Sequence, residues 1–135
     1  MSIKRILVVD DDPSTRFLLR LIFEGAGHRV TEAQHGVAAL IHIKDVLPDL
    51  IVTDMMMPVM DGGELIEHLR ADPRTAELLI LAVSANPHAK RAAAEADLVM
   101  GKPFDQSTLL DNVASLLERG SSRKAAASRR PEPLN

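Results

Sequence analysis

Four aspartates stand at the ends of two apolar segments, and their type and spacing could support metal and phosphate chemistry. Asp10, Asp11 and Asp12 follow the run ILVV, and Asp54 closes the run DLIVTD. In a parallel α/β sheet the carboxyl ends of the strands meet at one crevice, so we expect these carboxylates to lie close together. Clustered carboxylates repel one another, and burying them is costly unless a cation intervenes. A hard divalent ion with oxygen ligands meets that need, so the pattern predicts a metal-bearing phosphate site.

Two further polar residues end later apolar segments and extend the same pattern. Ser84 follows LLILAV, and Lys102 follows DLVMG. A serine hydroxyl can donate a hydrogen bond to a phosphoryl oxygen, and a lysine ammonium can neutralise its charge. Each is weak evidence alone, because serine at a strand end and lysine at a surface are both common. Together with the aspartates they supply a nucleophile, metal ligands, a donor and a cation, which are the parts that phosphoryl transfer uses.

Each aspartate also has an ordinary structural interpretation. A lone aspartate such as Asp54 would usually cap the turn after its strand, whereas as a nucleophile it would form an aspartyl-phosphate. Asp12 is best explained as the N-cap of a helix that begins near Pro13. Asp10 and Asp11 remain as candidate ligands. Two acids that face a third fit Mg²⁺, which prefers carboxylates, a carbonyl and waters.

The elements that must position these side chains alternate between strand and helix. Short continuous apolar runs are typical of strands buried in a parallel sheet. Five βα repeats with right-handed crossovers predict a three-layer α/β/α sandwich. The predicted strands cover residues 5–10, 29–33, 49–54, 78–84 and 97–101. The predicted helices run from Pro13 to the stop at Gly25 and Gly27, near 35–45, from the loop 55–63 to Asp72-Pro73, at about 88–96, and beyond Lys102-Pro103.

Apolar stripes on the first and last helices predict which faces are buried. On the first helix the predicted face consists of Phe17, Leu18, Leu21 and Ile22. On the last helix the helical spacing selects Leu109, Leu110, Val113, Leu116 and Leu117. Such stripes are typical of helices that pack on a sheet.

The length and composition indicate one soluble globular domain. The chain has 135 residues, of which 46% are hydrophobic and 26% charged. Cysteine is absent, which excludes disulfides and thiolate chemistry. No apolar run approaches the ~18 residues of a membrane span, and a strand begins too early to leave room for a signal peptide. We therefore expect a cytoplasmic protein without membrane insertion.

The charge distribution separates a body from a tail. Four bases against one acid give residues 120–135 a local charge of +3. Because the whole chain has a net charge of −3, the rest of it carries −6. An acidic body with three Phe, no Tyr and no Trp is a poor nucleic-acid surface, so direct nucleic-acid binding is not expected. The tail is small, basic and Pro-containing, which predicts a solvated disordered segment at 120–135 beside a domain at 1–119. A basic arm that docks an acidic partner or extends the last helix is the alternative.

The chain resembles the receiver domain of two-component response regulators over about residues 3–119. The matching stretches are ILVVDDDPSTR, PDLIVTDMMMPVMDGGEL, LILAVSA and GKPFD. The D-x-x-M-P-x-M-D-G run and the K-P-F step are highly specific. The resemblance implies a flavodoxin-like (βα)5 fold with a five-stranded parallel sheet of order 2-1-3-4-5.

The resemblance also implies a role for each matching residue. Asp54 is the implied phosphoryl acceptor, Ser84 the switch hydroxyl and Lys102 the phosphoryl contact. The implied metal ligands are Asp10, Asp11, Asp54 and the backbone carbonyl of Met56. The Lys102-Pro103 bond is implied to be cis, and Pro58 and Gly62 match turn residues after the phosphorylation site, where glycine can take a positive φ.

The same resemblance implies the cofactor and the partners. Mg²⁺ is the expected ion, for which Mn²⁺ can substitute. The expected donor is a histidine kinase or a histidine phosphotransfer protein, and output is expected to pass through contact with a downstream protein or a phosphorylation-dependent dimer. Such a domain catalyses its own phosphoryl acceptance and slow dephosphorylation, but it is not a turnover enzyme.

Two departures from the family pattern concern the output side. Three residues before the site lysine the family usually carries an aromatic switch residue, and this chain has Val99. A valine cannot act as a ring with two positions. The interval from Ser84 to Lys102 is also shorter than usual by about one helical turn of 3.6 residues. We predict altered output at the shortened fourth helix, and intact phosphorylation.

Two other function classes fit part of the sequence. Residues 10–14 loosely match the D-x-D-x-[TV] opening of haloacid-dehalogenase-like phosphatases, with Asp10 as nucleophile and Asp12 as acid/base. In that case Ser14 is an imperfect last position, and the segment from Asp54 to Gly63 has no explanation. The other class is a phosphorylation-independent adaptor that has kept the receiver fold, which would leave the complete site idle.

Histidine and methionine are assigned no catalytic role. The histidines at 28, 35, 42, 68 and 88 lack ligand spacing. The methionines at 55, 56, 57 and 60 are expected to pack around the site loop, because methionine fills irregular gaps.

Overall fold

Four of the strands are almost wholly apolar, and with a fifth they form one parallel sheet. The computed structural model describes residues 3–86 and 93–128, the last eight of these for their backbone alone. The strands are β1 Arg5–Val9, β2 Arg29–Ala33, β3 Leu50–Asp54, β4 Leu79–Ser84 and β5 Leu98–Gly101. The helices are α1 Pro13–Gly25, α2 Gly36–Asp45, α3 Gly62–Ala71 and α4 Gln106–Ser128.

The sheet has the order β2-β1-β3-β4-β5, which confirms the predicted topology. All four pairings are parallel. Val9 lies beside Thr53, and Asp54 lies beside Val83. The register therefore brings the ends of β1, β3 and β4 to one edge of the sheet, where the candidate site residues follow.

Successive side chains along each strand point to opposite faces of the sheet, and each face has its own hydrophobic core. The first core holds residues of α1 and α4 against Ile6, Val8 and Leu81. The second holds residues of α2 and α3 against Leu7, Val9 and Ile80. The helices thus form the two outer layers of a three-layer sandwich, as the alternation predicted.

The buried face of α1 differs from the predicted one. Leu19, Ile22 and Phe23 are buried, whereas the predicted Phe17, Leu18 and Leu21 are 58%, 51% and 54% exposed. The segment FLLRLIF carries two overlapping apolar stripes, so spacing alone could not choose between them. The rotation of α1 agrees instead with ion pairs from Arg16 and Arg20 to Glu32 on β2.

The segment between β4 and β5 is described only in part. The predicted helix at 88–96 falls partly on residues 87–92, which lie outside the described residues. Residues 93–95 form a turn that residues 96–97 continue as a bend, and the Ala96 N–H donates to the Ala93 carbonyl at 2.9 Å. The altered output predicted for this segment stays a prediction.

The last helix is longer than the sequence predicted. α4 continues to Ser128, past the predicted boundary at Gly120, which agrees with the alternative of an extended last helix. The division into a domain and a tail stays a prediction. Alanine, lysine and arginine in this stretch favour continuation of an existing helix, which avoids a new nucleation step. The part of the tail at 129–135 lies outside the described residues. Within the part of the chain that is described, no helix is long and apolar enough to cross a membrane.

Candidate functional site

Three carboxylates meet at the carboxyl edge of the sheet. Asp10 follows β1 and is only 3% exposed, Asp11 is exposed beside it, and Asp54 is the last residue of β3. Each offers an oxygen atom, and the three atoms lie within 4.8 Å of one another. Because β1 and β3 are neighbours, the pairing of Val9 with Thr53 brings the following aspartates together.

One cation reaches this cluster from β5. Lys102 Nζ lies 3.4 Å from Asp54 Oδ1 and 3.5 Å from Asp10 Oδ2. The backbone N–H of Lys102 donates to the Ser84 carbonyl at 2.9 Å, which ties the start of the next loop to the end of β4. The Lys102-Pro103 peptide bond is cis, as predicted. The site therefore sets one ammonium against three carboxylates.

Burial and a neighbouring carboxylate both act on the pKa of Asp10. Burial raises the pKa of Asp10 above its ordinary value, and the neighbouring Asp54 charge raises it further. The Asp12 N–H, which donates to Asp10 Oδ1 at 2.9 Å, and Lys102 act in the opposite direction. A group of hard carboxylate oxygens that one lysine does not neutralise fits a divalent cation such as Mg²⁺.

Asp12 serves as the cap of α1, as predicted. Its Oδ1 accepts from the Ser14 N–H at 3.1 Å, and its Oδ2 accepts from Thr15 Oγ1 at 2.7 Å. The hydrogen bond from Thr15, followed by that from Ser14, lowers the pKa of Asp12. Both carboxylate oxygens are engaged in capping, so Asp12 stands apart from the three-carboxylate cluster.

The loop after Asp54 packs against the site at Gly62, where there is no space for a Cβ atom. Asp54 Oδ1 accepts from the Met55 N–H at 2.9 Å, and the Met55 carbonyl accepts from the Gly62 N–H at 3.1 Å. A Cβ on Gly62 would overlap the Asp54 carbonyl and lie 2.8 Å from Met55 Cα. The expected positive φ is found at Val59, with a value of 70°, and not at Gly62. Glycine is needed at 62 for close approach.

Ser84 is buried at the end of β4 and forms a local turn. Its hydroxyl donates to the Asn86 carbonyl at 3.2 Å and accepts from the Asn86 N–H at 3.1 Å. No hydrogen bond joins Ser84 to the carboxylate cluster within the described ranges. Val99 on β5 pairs with Ala82 on β4. Its side chain is half-buried and packs against the second core.

The methionines around the site have different environments. Met55 is buried, which agrees with the expected packing role, whereas Met56 is exposed. Met60 covers the first residue of α2: its carbonyl accepts from the Gly36 N–H at 3.1 Å, and a Cβ on Gly36 would lie 2.6 Å from Met60 Cγ. The loop after Asp54 is therefore packed onto α2 as well as α3.

Among the histidines that the structure describes, His42 and His68 are exposed on α2 and α3. His35 caps α2, because its Nδ1 accepts from the Ala38 N–H at 3.1 Å. His28 is half-buried, and its Nδ1 has no hydrogen-bond partner within the described residues. His88 lies outside them.

Arg16 is a site neighbour that the sequence did not reveal. Its Nη1 donates to the Asp10 carbonyl at 2.6 Å, and its Nε donates to Glu32 Oε1 at 3.1 Å. The guanidinium thus holds the backbone of the acid pair against β2. The available signal was the position of Arg16, a base in the first turn of the helix that follows the three aspartates.

Comparison with known proteins finds a family whose model covers most of the chain. The family model of the response regulator receiver domain matches residues 6–114. The chain is 40% identical over 119 residues to the response regulator MprA of Mycobacterium sp. (strain KMS), covering 87% of this chain and 52% of MprA. It is 35% identical over 135 residues to the DNA-binding dual master transcriptional regulator RpaA of Synechocystis sp., covering 97% of this chain and 56% of RpaA. The chain thus spans about half the length of these curated relatives.

Solved structures give the same result for the fold. The response regulator protein TrrA of Thermotoga maritima, crystallised in complex with Mg²⁺ and BeF, superposes with a TM-score of 0.78 at 30% identity. The match covers 84% of this chain and 99% of TrrA.

Proposed function

This chain belongs to the response regulator receiver domain family of two-component signalling, and we propose that a phosphoryl group on Asp54 sets its switch. The family is one of signalling switches. The observation that carries the assignment to Asp54 is the position of Lys102 Nζ, which lies between Asp54 and Asp10. An ammonium that already bridges two carboxylates is placed to balance the charge that a phosphoryl group would add.

The three-carboxylate cluster is the proposed site of a Mg²⁺ ion. Asp10, Asp11 and Asp54 would supply carboxylate oxygens, and Met56 would supply its backbone carbonyl. A bound Mg²⁺ would screen the charge of the incoming phosphoryl oxygens, and Mn²⁺ could take the same oxygen ligands. The raised pKa of Asp10 supports this proposal, because burial and then the Asp54 charge both disfavour the ionised carboxylate in the absence of a further cation.

The transfer itself requires little from the protein beyond position and charge. Asp54 Oδ1 already accepts from the Met55 N–H and faces Lys102, so we assign Oδ2 as the attacking oxygen. A bond forms between Oδ2 and phosphorus while the bond from phosphorus to the donor histidine nitrogen breaks. The donor ring carries a proton on its other nitrogen, so when the first nitrogen keeps the electron pair of the broken bond the ring leaves as neutral imidazole. Slow hydrolysis, in which water attacks phosphorus and Asp54 leaves as the carboxylate, would reset the switch.

Ser84 and Val99 are the proposed readout. In the structure the Ser84 hydroxyl is engaged with the Asn86 backbone. Exchange of this local bond for one to a phosphoryl oxygen would draw the start of the next segment toward Asp54. Because Val99 is small, the change would be transmitted by the segment after Ser84 without the movement of an aromatic ring.

The exposed face of α1 is the proposed docking surface for the donor. Phe17, Leu18 and Leu21 form an apolar patch on the helix that starts directly after the acid pair. A histidine kinase or a histidine phosphotransfer protein could cover this patch while it presents its phosphohistidine to Asp54. Output would pass to a downstream protein or to a phosphorylation-dependent dimer. The cytoplasmic location remains a prediction.

The phosphatase alternative is not favoured. It requires Asp12 as an acid/base, yet both oxygens of Asp12 accept hydrogen bonds at the start of α1. The adaptor alternative differs from the proposed function only in leaving the site unused, so labelling separates the two.

Incubation with acetyl phosphate and Mg²⁺ tests the proposed function. We expect the wild-type chain to gain one phosphoryl group by intact mass, and Asp54→Ala to gain none. Asp12→Asn is the matched control, because it changes a carboxylate that caps α1, and it should be labelled like the wild type. Equal labelling of Asp54→Ala and wild type would exclude Asp54 as the acceptor, and absence of labelling in both would favour the adaptor.

A further inference from the structure

A groove with an apolar floor lies between α2 and α3, away from the carboxylate cluster. Its cavity has a volume of about 500 Å³. Leu40, Ile43 and Leu69 line it and belong to the second core. Val37 and Ile41 also line it and are 37% and 61% exposed, which leaves apolar side chains open to solvent on the α2 wall.

Basic side chains surround this apolar floor. Lys44, His68 and Arg74 line the groove, and Asp72 is the acidic residue among its lining. Arg74 is held in place, because its Nη2 donates to the Lys44 carbonyl at 3.1 Å at the end of α2. Asp72 is engaged locally, since its Oδ1 accepts from the Arg74 N–H at 2.9 Å. Four of the five donors of the Arg74 guanidinium are left for a ligand.

The groove cations differ from most others in the molecule. Arg16 and Arg20 pair with Glu32, Arg70 pairs with Asp97, and Lys102 pairs with the site carboxylates. Within residues 3–86 and 93–120, neither Lys44 nor Arg74 has a carboxylate within ion-pair distance. These two bases lie beside an exposed apolar strip. The groove is therefore a basic amphipathic surface on a body whose net charge is negative.

We propose that the groove between α2 and α3 binds an acidic amphipathic helix of a partner protein. The partner would place apolar side chains on Val37, Leu40 and Ile41, and carboxylates against Lys44 and Arg74. Each wall is a helix of 10 residues, about 15 Å long, which matches about three turns of a docked helix. An anionic membrane or nucleic acid would be repelled by the acidic body, whereas a short segment meets only the local charge.

The proposal does not depend on phosphoryl acceptance by Asp54. The groove lies on α2 and α3, whereas the carboxylates follow the strands, so loss of one function leaves the other testable. The first residue of each helix nevertheless contacts the loop after Asp54, because the N–H groups of Gly36 and Gly62 donate to the carbonyls of Met60 and Met55.

Two synthetic helical peptides with the same apolar positions at i, i+3, i+4 and i+7 test the proposal. One carries glutamates at the flanking positions, and the other carries lysines. Titration into ¹⁵N-labelled protein should give amide shifts confined to residues 37–44 and 68–75 with the acidic peptide. The lysine peptide should bind at least about tenfold more weakly, a difference of ~1.4 kcal/mol.

Variants of exposed groove residues separate this site from general charge attraction. Lys44→Glu combined with Arg74→Glu, and separately Ile41→Ser, should each weaken the acidic peptide about tenfold or more. Arg5→Glu combined with Arg29→Glu makes the same charge change at exposed residues outside the groove, and it should bind like the wild type. Equal loss in this control, equal binding of both peptides, or shifts confined to Phe17, Leu18 and Leu21 would overturn the proposal.

Discussion

Arg70 Nη2 donates to Asp97 Oδ2 at 3.1 Å, and this ion pair joins the end of α3 to the residue before β5. The Arg70 guanidinium also donates to the carbonyls of Ala76, Leu78 and Glu95. Asp97 Oδ2 in turn accepts from the Ile80 N–H at 2.8 Å. This network lies at the amino edge of β4 and β5, so it holds the far end of the segment that begins at Ser84.

Loss of the Arg70 side chain should destabilise the fold. The side chains of Arg70 and Asp97 are 15% and 10% exposed, so Arg70→Met removes the closest cation from a nearly buried carboxylate and one donor from each of three carbonyls. We expect a loss of about 3 kcal/mol in the free energy of unfolding, measured by urea denaturation. Arg119→Met is the matched control, because Arg119 lies 4.0 Å from Asp97 and is half-exposed, and it should cost less than about 1 kcal/mol. Similar losses in both variants would contradict the anchoring role.

Neutralising Asp10 should stabilise the metal-free protein. Because the folded-state pKa of Asp10 is raised, its contribution favours folding at low pH and is lost as pH rises above the ordinary value of 3.8. At neutral pH without Mg²⁺, Asp10→Asn should therefore unfold at a higher temperature than the wild type.

Addition of Mg²⁺ should reverse this order. For the wild type, Mg²⁺ at ten times its Kd should add about 1.4 kcal/mol, and Asp10→Asn should gain much less. Thermal unfolding with and without Mg²⁺ measures both effects. An equal gain in the two proteins would remove Asp10 from the proposed ligand set.

The two glycines at 62 and 25 should respond oppositely to alanine. A Cβ on Gly62 has no space beside the Asp54 carbonyl, whereas a Cβ on Gly25 has no atom within 4 Å. Gly62→Ala should cost about 1–3 kcal/mol and slow phosphoryl acceptance, since the loop after Asp54 must shift. Gly25→Ala, at the last residue of α1, should leave acceptance unchanged and add up to about 1 kcal/mol of stability. Chemical denaturation together with acetyl phosphate labelling distinguishes the two effects.

The stability of the fold should fall at mildly acidic pH because of His28. Burial lowers the pKa of His28, with Lys4 acting in the same direction and Asp49 against it. The unfolded chain then binds a proton more readily than the folded one, so stability is present above the ordinary value of 6.5 and is lost as pH falls below it. Urea midpoints at pH values above and below 6.5 should show this loss in the wild type and a smaller one in His28→Leu. His42→Leu, at an exposed position, should retain the wild-type slope.

Charged substitutions on α1 should separate docking from chemistry. Phe17→Asp and Leu21→Asp alter side chains that are exposed, so the fold should be retained. Transfer from a phosphorylated histidine kinase should fall about tenfold or more, because a carboxylate would be buried in the docked complex. Labelling by acetyl phosphate should not change, since that donor needs no docking surface. A parallel loss with both donors would indicate damage to the site.

The sheet and the cluster could be predicted because they depend on local sequence signals. The runs that became β1, β3 and β4 are continuous and apolar, and each is followed by a polar residue. Parallel pairing alone then brings Asp10, Asp54 and Ser84 to one edge. Asp12 was recognisable as a cap because the proline after it marks the first turn of a helix.

The remaining features depend on contacts between residues distant in sequence. The rotation of α1 agrees with ion pairs to Glu32, and that information is absent from the segment FLLRLIF itself. The bond from Arg70 to Asp97 joins residues 27 positions apart in the sequence, and no local pattern predicts it. The reason for glycine at 62 was likewise hidden, because space and not backbone angle excludes a side chain there.

The contact of Gly36 with Met60 constrains how this sequence can diverge. Because the methionine side chain fills the space where a Cβ at 36 would lie, the two positions share one volume. A larger residue at 36 would need a smaller one at 60 first, together with a small shift of the loop, since Met60 Cβ would also lie 2.9 Å away, so the two positions should change together and in that order. In related sequences we therefore expect substitutions at positions 36 and 60 to be correlated.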